Sequence, residues 1–190
     1  MEGNIKKART VIGLVLLIAG ITLLIYPKAT NVFWYLKYSE TSEKYSSPMI
    51  ESHDTKSSYL SEEILLEIPD LQLKTKVAHG TTSEILKVLP GRYLESALPG
   101  QGNTAIAGHR SLYGGQFRDI DKLKEKDSIY IYYQDSVYLY EVDQVFSVAS
   151  DDWSILEEGE LPSLTLTTCH KFGRDKRLVV KALLVSSTKT

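Results

Sequence analysis

The sequence predicts a mainly β protein whose short strands close, or nearly close, into a barrel, with two short helices and an apolar segment at the N-terminus. From residue 62 onward, brief apolar or alternating segments are separated by turn residues such as Pro, Gly, Asn and Asp. Only two intervening segments have helical character, so repeated βαβ units are not indicated. With 190 residues and 43% hydrophobic residues, the chain can form one compact domain with a core.

The N-terminus combines basic residues with a long apolar run. Three basic side chains lie in the first ten residues, and the run over residues 11–26 has Thr22 as its one polar member. Such a run, extended into the interface, can cross a bilayer, and its basic flank stays in the cytoplasm. We therefore predict a cytoplasmic tail at 1–10 and a single-pass transmembrane signal anchor at 11–28. A cleaved signal peptide is the alternative, but no small-residue cleavage site follows the run.

The chain beyond the anchor is predicted to lie outside the cell. Residues 29–61 form an extracellular stalk in this interpretation, because they are largely polar and carry no repeating apolar stripe. The folded domain is predicted at 62–190. A net charge of -2, with no long basic stripe and no zinc-finger spacing, argues against a nucleic-acid partner. The single cysteine, Cys169, is unusual for an exported protein and indicates a reactive thiol or an intermolecular link.

The elements of the folded domain are predicted in chain order. Ile64–Ile68 is an apolar strand ended by a Pro-Asp turn, and Leu71–Val77 alternates between two faces. Thr81 and Glu84 form a capping box that starts a helix ended by Pro90-Gly91. The later elements are a strand at Thr104–Gly108, a short helix at Asp119–Lys126, a hairpin of Ser128–Tyr133 and Val137–Val148, and strands at Leu164–Thr168 and Arg177–Val185.

A nucleophilic thiol needs a base or a cationic neighbour near neutral pH. Cys169 ends a predicted strand and opens onto a loop, where a side chain is well placed for chemistry. His109 ends its own strand and can approach Cys169 across the sheet. His170 adjoins Cys169, but successive strand residues point to opposite faces. His53 lies in the predicted stalk, and His79 precedes the helix.

Attack on an amide carbonyl builds negative charge on its oxygen, so a cationic or N–H donor must already be aimed there. Arg177 opens the strand that follows Cys169 in the chain and can return alongside it. The forked guanidinium suits this task better than an ammonium group. Arg174 and Arg110 are the competing arginines.

Two segments resemble signatures of the sortase family. Thr165-Leu166-Thr167-Thr168-Cys169, followed eight residues later by Arg177, resembles the catalytic T-L-x-T-C…R pattern. The stretch A-L-P-G-Q-G-N-T-A-I-A-G-H-R at 97–110 resembles the loop and strand that lead into the family's catalytic histidine. With 60 positions between His109 and Cys169 and an N-terminal anchor, the chain is similar to a sortase over roughly residues 62–187.

The resemblance implies a closed eight-stranded sortase barrel and a membrane-anchored cysteine transpeptidase. Cys169 would attack the Thr–Gly bond of an LPxTG-like sorting signal and form a thioester, His109 would protonate the leaving amine, and Arg177 would hold the oxyanion. The expected partners are secreted proteins with a C-terminal sorting signal and an amine from a cell-wall precursor or a protein lysine. No cofactor and no metal are expected. The residues expected to bind substrate are Ala107, Thr167, Thr168 and Trp153.

Within the family, the chain is most similar to class D, with class C next. Class C pilin polymerases usually carry a lid with an Asp-Pro-aromatic motif and a second hydrophobic segment, and neither pattern is found in this sequence. An inactive surface scaffold with the same barrel is an alternative, and so is a hydrolase that releases its product to water. Specificity is expected to depend on the loop at residues 151–156.

Overall fold

The computed structural model describes residues 12–22, 63–173 and 175–189. Residues 12–22 form helix α1, and their side chains are exposed. In the ranges that the structure describes, no helix combines the length and apolarity needed to cross a membrane. The predicted anchor at 11–28 falls only partly within these ranges, and the predicted tail and stalk lie outside them.

Eight strands make up the folded part of the chain: β1 (Ile64–Ile68), β2 (Leu73–His79), β3 (Gly91–Arg92), β4 (Asn103–Ala107), β5 (Ser128–Tyr133), β6 (Ser136–Ala149), β7 (Ser163–Cys169) and β8 (Lys176–Lys189). They form a closed barrel in the order β1-β2-β3-β4-β7-β8-β6-β5. Antiparallel pairing of β1 with β5 closes the ring. The prediction of a closed, mainly β, eight-stranded barrel with few short helices is confirmed.

The helical segments are shorter than predicted. Helix α2 is Ser83–Leu86, and its N-cap is Thr82 rather than the predicted Thr81, because the Thr82 hydroxyl accepts the Ile85 N–H at 3.4 Å. Helix α2 ends at Leu86, before Leu89, the residue whose helical backbone Pro90 disfavours, and the Val88 N–H then bonds to the Ile85 carbonyl at 2.9 Å. The predicted helix at Asp119–Lys126 is a single 3-10 turn, Ile120–Lys122. Further 3-10 turns are Pro69–Leu71, before β2, and Ser154–Leu156, after β6.

The strands depart from prediction mainly at their ends. The two-residue strand β3 was not predicted, because two residues carry no periodic pattern. It pairs in parallel with β2 and antiparallel with β4, and so connects these two strands in the barrel. The β5–β6 hairpin turns through two residues, Gln134 and Asp135, with Tyr133 opposite Ser136. Gln134 has a φ of 52°, the left-handed backbone that tight hairpins require.

Alternation along β7 separates the core from the outer surface. Leu164 and Leu166 belong to the buried core, opposite Ala182 and Val180 of β8. Side chains on a strand alternate between faces, so Thr165, Thr167 and Cys169 lie on the outer face of the barrel. The other core members are contributed by every strand except the short β3, with Phe117, Ile120 and Leu123 added from the segment between β4 and β5. The nucleophile candidate therefore stands outside the core, on a strand that the core holds in place.

Asn103 joins the barrel to the β6–β7 loop, residues 150–162. Its side chain is fully buried, and its amide group both donates and accepts hydrogen bonds. The amide nitrogen donates to the Ile155 and Glu157 carbonyl oxygens at 2.9 and 3.1 Å. The amide oxygen accepts from the Thr165 and Ser163 hydroxyls at 2.7 and 3.3 Å. One side chain thus fixes the loop against the first residues of β4 and β7.

We predict that Asn103→Asp destabilises the barrel by about 3 kcal/mol, because a carboxylate oxygen would face the Ile155 and Glu157 carbonyls that now accept hydrogen bonds. Chemical denaturation at pH 7 measures the change. Ser163→Ala, which removes only the longer 3.3 Å bond, is the control and is expected to cost about 1 kcal/mol or less. Equal losses in the two variants would contradict the importance assigned to the Asn103 amide.

Candidate active site

Cys169 is the last residue of β7, and it is exposed with a free thiol. Its antiparallel partner on β8 is Arg177. Residues directly opposite each other in an antiparallel pair extend from the same face, so the thiol and the guanidinium group share the outer face of the barrel. This is the approach of Arg177 to Cys169 that the sequence predicted.

His109 lies on the other side of Cys169, just beyond the end of β4. Strands β4 and β7 are parallel, with Ala107 opposite Thr167. The Gly108 N–H donates to the Thr167 carbonyl at 3.0 Å, which completes this last pair, and the Thr168 hydroxyl donates to the Gly108 carbonyl at 2.8 Å. His109 and Cys169 are the residues that follow Gly108 and Thr168 in the chain. The structure therefore brings His109, Cys169 and Arg177 to one end of three adjacent strands, with Cys169 in the middle.

The imidazole of His109 is partly enclosed. Its ring lies 5.2 Å from the ring of Tyr113, tilted by 47°. Burial lowers the pKa of His109 below its usual 6.5, because desolvation disfavours the imidazolium form. Within the described ranges, no side chain hydrogen-bonds to either imidazole nitrogen. His109 is therefore mostly neutral near pH 7 and has a nitrogen available to accept a proton.

The turn after β4 holds His109 through close packing. The Phe117 N–H donates to the His109 carbonyl at 3.1 Å, which folds the segment back on itself. A Cβ at Gly108 would lie 2.7 Å from the Phe117 ring, so only glycine permits this approach. Thr168 adds a cross-strand bond, since its hydroxyl donates to the Gly108 carbonyl at 2.8 Å.

The competing residues are placed elsewhere or have other partners. His170 Nδ1 accepts the Phe172 N–H at 3.2 Å within the β7–β8 turn, so this nitrogen serves the turn. Arg110 pairs with Asp121 at 2.7 Å. His79 ends β2, opposite Arg92 of β3. Arg174 and His53 lie outside the described residues, and no described carboxylate forms an ion pair with Arg177.

The residues expected to bind substrate do not all share one face. Ala107 and Thr167 lie on the outer face in the row behind Cys169, and both are nearly covered. Trp153 is 60% exposed in the β6–β7 loop. Thr168 is buried on the opposite face, opposite the core residue Leu178, so it fastens β7 to the His109 turn instead of lining the outer surface.

Tyr93 connects these residues, and sequence reasoning missed it. Its hydroxyl lies 3.3 Å from the Thr167 hydroxyl, and its ring meets that of Trp153 edge to face, with centroids 6.2 Å apart. Tyr93 and Thr167 are 74 positions apart in the chain. No local pattern marks such a contact, because the barrel pairing creates it.

A cleft of about 400 Å³ opens beside Tyr93 and Trp153. Its other lining residues are Thr81, Glu95 and Leu156. The β6–β7 loop forms one wall, and the segments on either side of β3 form the other. This surface, called the Trp153 cleft below, continues outward from the row that holds Thr167. Among the residues described, no three potential metal-ligating side chains come together.

The arrangement contains the components that acyl transfer requires. An exposed thiol, a neutral imidazole and a fixed positive charge stand at one barrel end, with a cleft nearby for a bound chain. A neutral base can take the thiol proton, and a guanidinium can stabilise the charge that develops on an attacked carbonyl.

Comparison with known proteins shows the same domain. Residues 66–185 match the family description of the sortase domain. The chain is 32% identical to sortase A of Bacillus anthracis over 124 residues, which make up 64% of this chain and 59% of that relative. The match thus spans less than two thirds of that curated relative.

Solved structures share the barrel. Sortase E1 from Streptomyces coelicolor, crystallised with a tripeptide in its active site, superposes with a TM-score of 0.61 at 28% identity, covering 68% of this chain and 91% of that one. The sortase D5 transpeptidase of Clostridium perfringens gives a TM-score of 0.61 at 28% identity, covering 84% and 98%. The family match covers most of the barrel, including Cys169, His109 and Arg177, and the chain belongs to the sortase family.

Proposed function

We propose that this chain is a membrane-anchored cysteine transpeptidase that cleaves an LPxTG-like sorting signal between Thr and Gly and transfers the acyl group to an amine. The observation that carries the proposal is the alignment of His109, Cys169 and Arg177 at one end of three adjacent strands. An inactive scaffold with the same barrel would have no need for an exposed thiol between a base and a cation.

The first half of the reaction forms the acyl-enzyme. Neutral His109 takes the thiol proton as Cys169 Sγ attacks the Thr carbonyl carbon, and Arg177 stabilises the resulting oxyanion. When the tetrahedral intermediate collapses, the C–N bond breaks. The imidazolium of His109 gives its proton to the departing Gly amine, which leaves a thioester on Cys169.

The second half returns the free enzyme. An amine attacks the thioester carbonyl, and His109 accepts a proton from the attacking nitrogen. Collapse forms the new amide and releases the Cys169 thiolate, which regains the proton from His109. Water in place of the amine would give hydrolysis with the same residues, so the acceptor decides between transfer and release. An anchor at residues 11–28 would hold the enzyme beside lipid-linked cell-wall precursors.

The sorting signal is proposed to lie on the outer face, from Cys169 over Ala107 and Thr167 toward the Trp153 cleft. The tripeptide in the active site of the Streptomyces coelicolor relative supports a short peptide as ligand. The β6–β7 loop would then set specificity, because it carries Trp153 and Leu156 and is fixed by Asn103. Assignment to class D remains a prediction, since the relatives include sortases A, D and E1.

We predict that the full chain in detergent forms a covalent adduct with an LPxTG-type peptide, seen by mass spectrometry of the intact protein. Cys169→Ala is expected to form none, because the thioester requires the sulfur. With an added amine, the wild type should also give amine-linked peptide. An adduct without amine-linked product would favour the hydrolase, and the absence of an adduct with several such peptides would favour the scaffold.

Arg177→Ala is predicted to lower kcat by about 10²- to 10³-fold, the usual cost of removing one donor to an oxyanion. Arg177→Lys should recover only part of the loss, since an ammonium group cannot reproduce the fork of the guanidinium. Lys176→Ala is the matched control, because Lys176 precedes Arg177 on β8 and the strand turns it to the other face. A similar loss in Lys176→Ala would assign the effect to general charge near the site.

The pH dependence of kcat/KM should report His109. Burial lowers the pKa of this imidazole, so its neutral form persists below pH 6.5. We expect kcat/KM to fall as pH falls through the lowered pKa, with the midpoint of this acidic limb below 6.5. Initial rates with saturating amine across pH 4.5–8 would measure it. A midpoint above 6.5, or a rate that rises on acidification, would contradict neutral His109 as the base.

A further inference from the structure

We propose that the Trp153 cleft selects sorting-signal peptides that carry a basic side chain, Lys or Arg, near the scissile bond. This inference rests on the proposed function and specifies its substrate class. It concerns the charge of a residue in the donor peptide.

The shape and lining of the cleft fit a long cationic side chain. Trp153 and Tyr93 form an edge-to-face aromatic pair on one side, and Leu156 and the carboxylate-bearing Glu95 complete the lining with Thr81. An aromatic ring attracts an ammonium or guanidinium group through its negative face. The aliphatic stem of a Lys or Arg side chain packs well on apolar surface while its charged end stays near water.

Carboxylates outnumber cations around the cleft. Its lining residues belong to the segments 81–86, 93–96 and 150–158, which contain six carboxylates. Lys87 and Arg92 adjoin these segments, and the Arg92 guanidinium is buried and donates to the Tyr93 and Ser96 carbonyls, so it lies behind the cleft wall. An excess of carboxylates at a cleft attracts ligands of the opposite charge.

Two of these carboxylates already have structural roles. Asp152 accepts the Ser154 N–H and hydroxyl at 3.0 and 2.6 Å and holds the loop turn. Glu158 accepts the Asn103 N–H at 3.1 Å. Glu95 is exposed on the cleft wall, and no described Lys, Arg or His forms an ion pair with it. Glu95 is therefore the carboxylate best placed to meet a basic group of the ligand.

Binding to the full-length Cys169→Ala protein in detergent tests the proposal without turnover. The probes are a set of LPxTG peptides with a single Lys placed at successive positions before and after the motif, each paired with its Gln counterpart. Titration calorimetry at low salt should show tighter binding of the Lys peptide at one position, by about tenfold. The preference should shrink at high salt, because screening weakens exposed charge pairs.

Two variants locate the effect. Glu95→Gln in the Cys169→Ala background should bring the Lys/Gln affinity ratio close to one, and Trp153→Leu should reduce it. Glu160→Gln is the matched control: Glu160 is an exposed carboxylate of the same loop that does not line the cleft, and its loss should leave the ratio intact. Equal affinities for Lys and Gln peptides at every position would overturn the proposal, and so would a ratio unchanged in Glu95→Gln.

Turnover by the wild type distinguishes a failure of the cleft proposal from a failure of the proposed transpeptidase function. If the wild type forms no adduct but Cys169→Ala binds Lys peptides selectively, the catalytic proposal fails and the cleft assignment stands. If the wild type turns over Lys and Gln peptides equally and their affinities are equal, the cleft assignment fails alone. The turnover rate could instead depend on the charge of the amine acceptor and not on the charge of the donor peptide. That result would mean that the cleft binds the acceptor, and it would overturn the proposal.

Discussion

The parallel pairing of β4 with β7 is the interaction on which the rest of the site depends. It sets Asn103 opposite Ser163 at one end and Ala107 opposite Thr167 at the other, across 60 positions of sequence. Two contacts fix this register: the Asn103 amide at the start, and the Thr168 hydroxyl on the Gly108 carbonyl at the end. A slip by one residue would turn Cys169 away from the outer face and remove the leucines of β7 from the core.

The same strands serve the core on one face and the site on the other. The outer face of β4 and β7 carries the buried polar residues Asn103, Thr165 and Thr167 together with Ala107, and the β6–β7 loop is bonded to it through Asn103. Lys181 shows how this is tolerated: its half-buried ammonium group donates to the Thr165 hydroxyl at 3.1 Å, which in turn donates to Asn103. Burial lowers the pKa of Lys181, and the nearby Glu158 opposes that shift. The loop that carries Trp153 is thus tied to the barrel by satisfied polar groups.

Exposure and burial are divided among the catalytic candidates in a way that suits their roles. Cys169 is exposed at the strand end, where a peptide bond can reach it. His109 is partly buried against Tyr113, which lowers its pKa and favours the neutral base. Arg177 lies directly opposite Cys169 on β8, so its guanidinium group shares the face of the thiol. The Trp153 cleft, with the carboxylate of Glu95 in its lining, lies beyond this row.

The sequence by itself determined the strand-rich barrel, most strand positions and the three catalytic candidates, because alternation, turn residues and short motifs are local signals. Local signals were less reliable for the helices, where Thr82 rather than Thr81 is the cap and α2 ends at Leu86, before the stop predicted at Pro90. Only the tertiary structure decided that Thr168 faces inward, that Tyr93 joins Thr167 to Trp153, and that Asn103 holds the β6–β7 loop. These contacts join residues 52 to 74 positions apart, and barrel closure and strand register, which no local pattern encodes, bring them together.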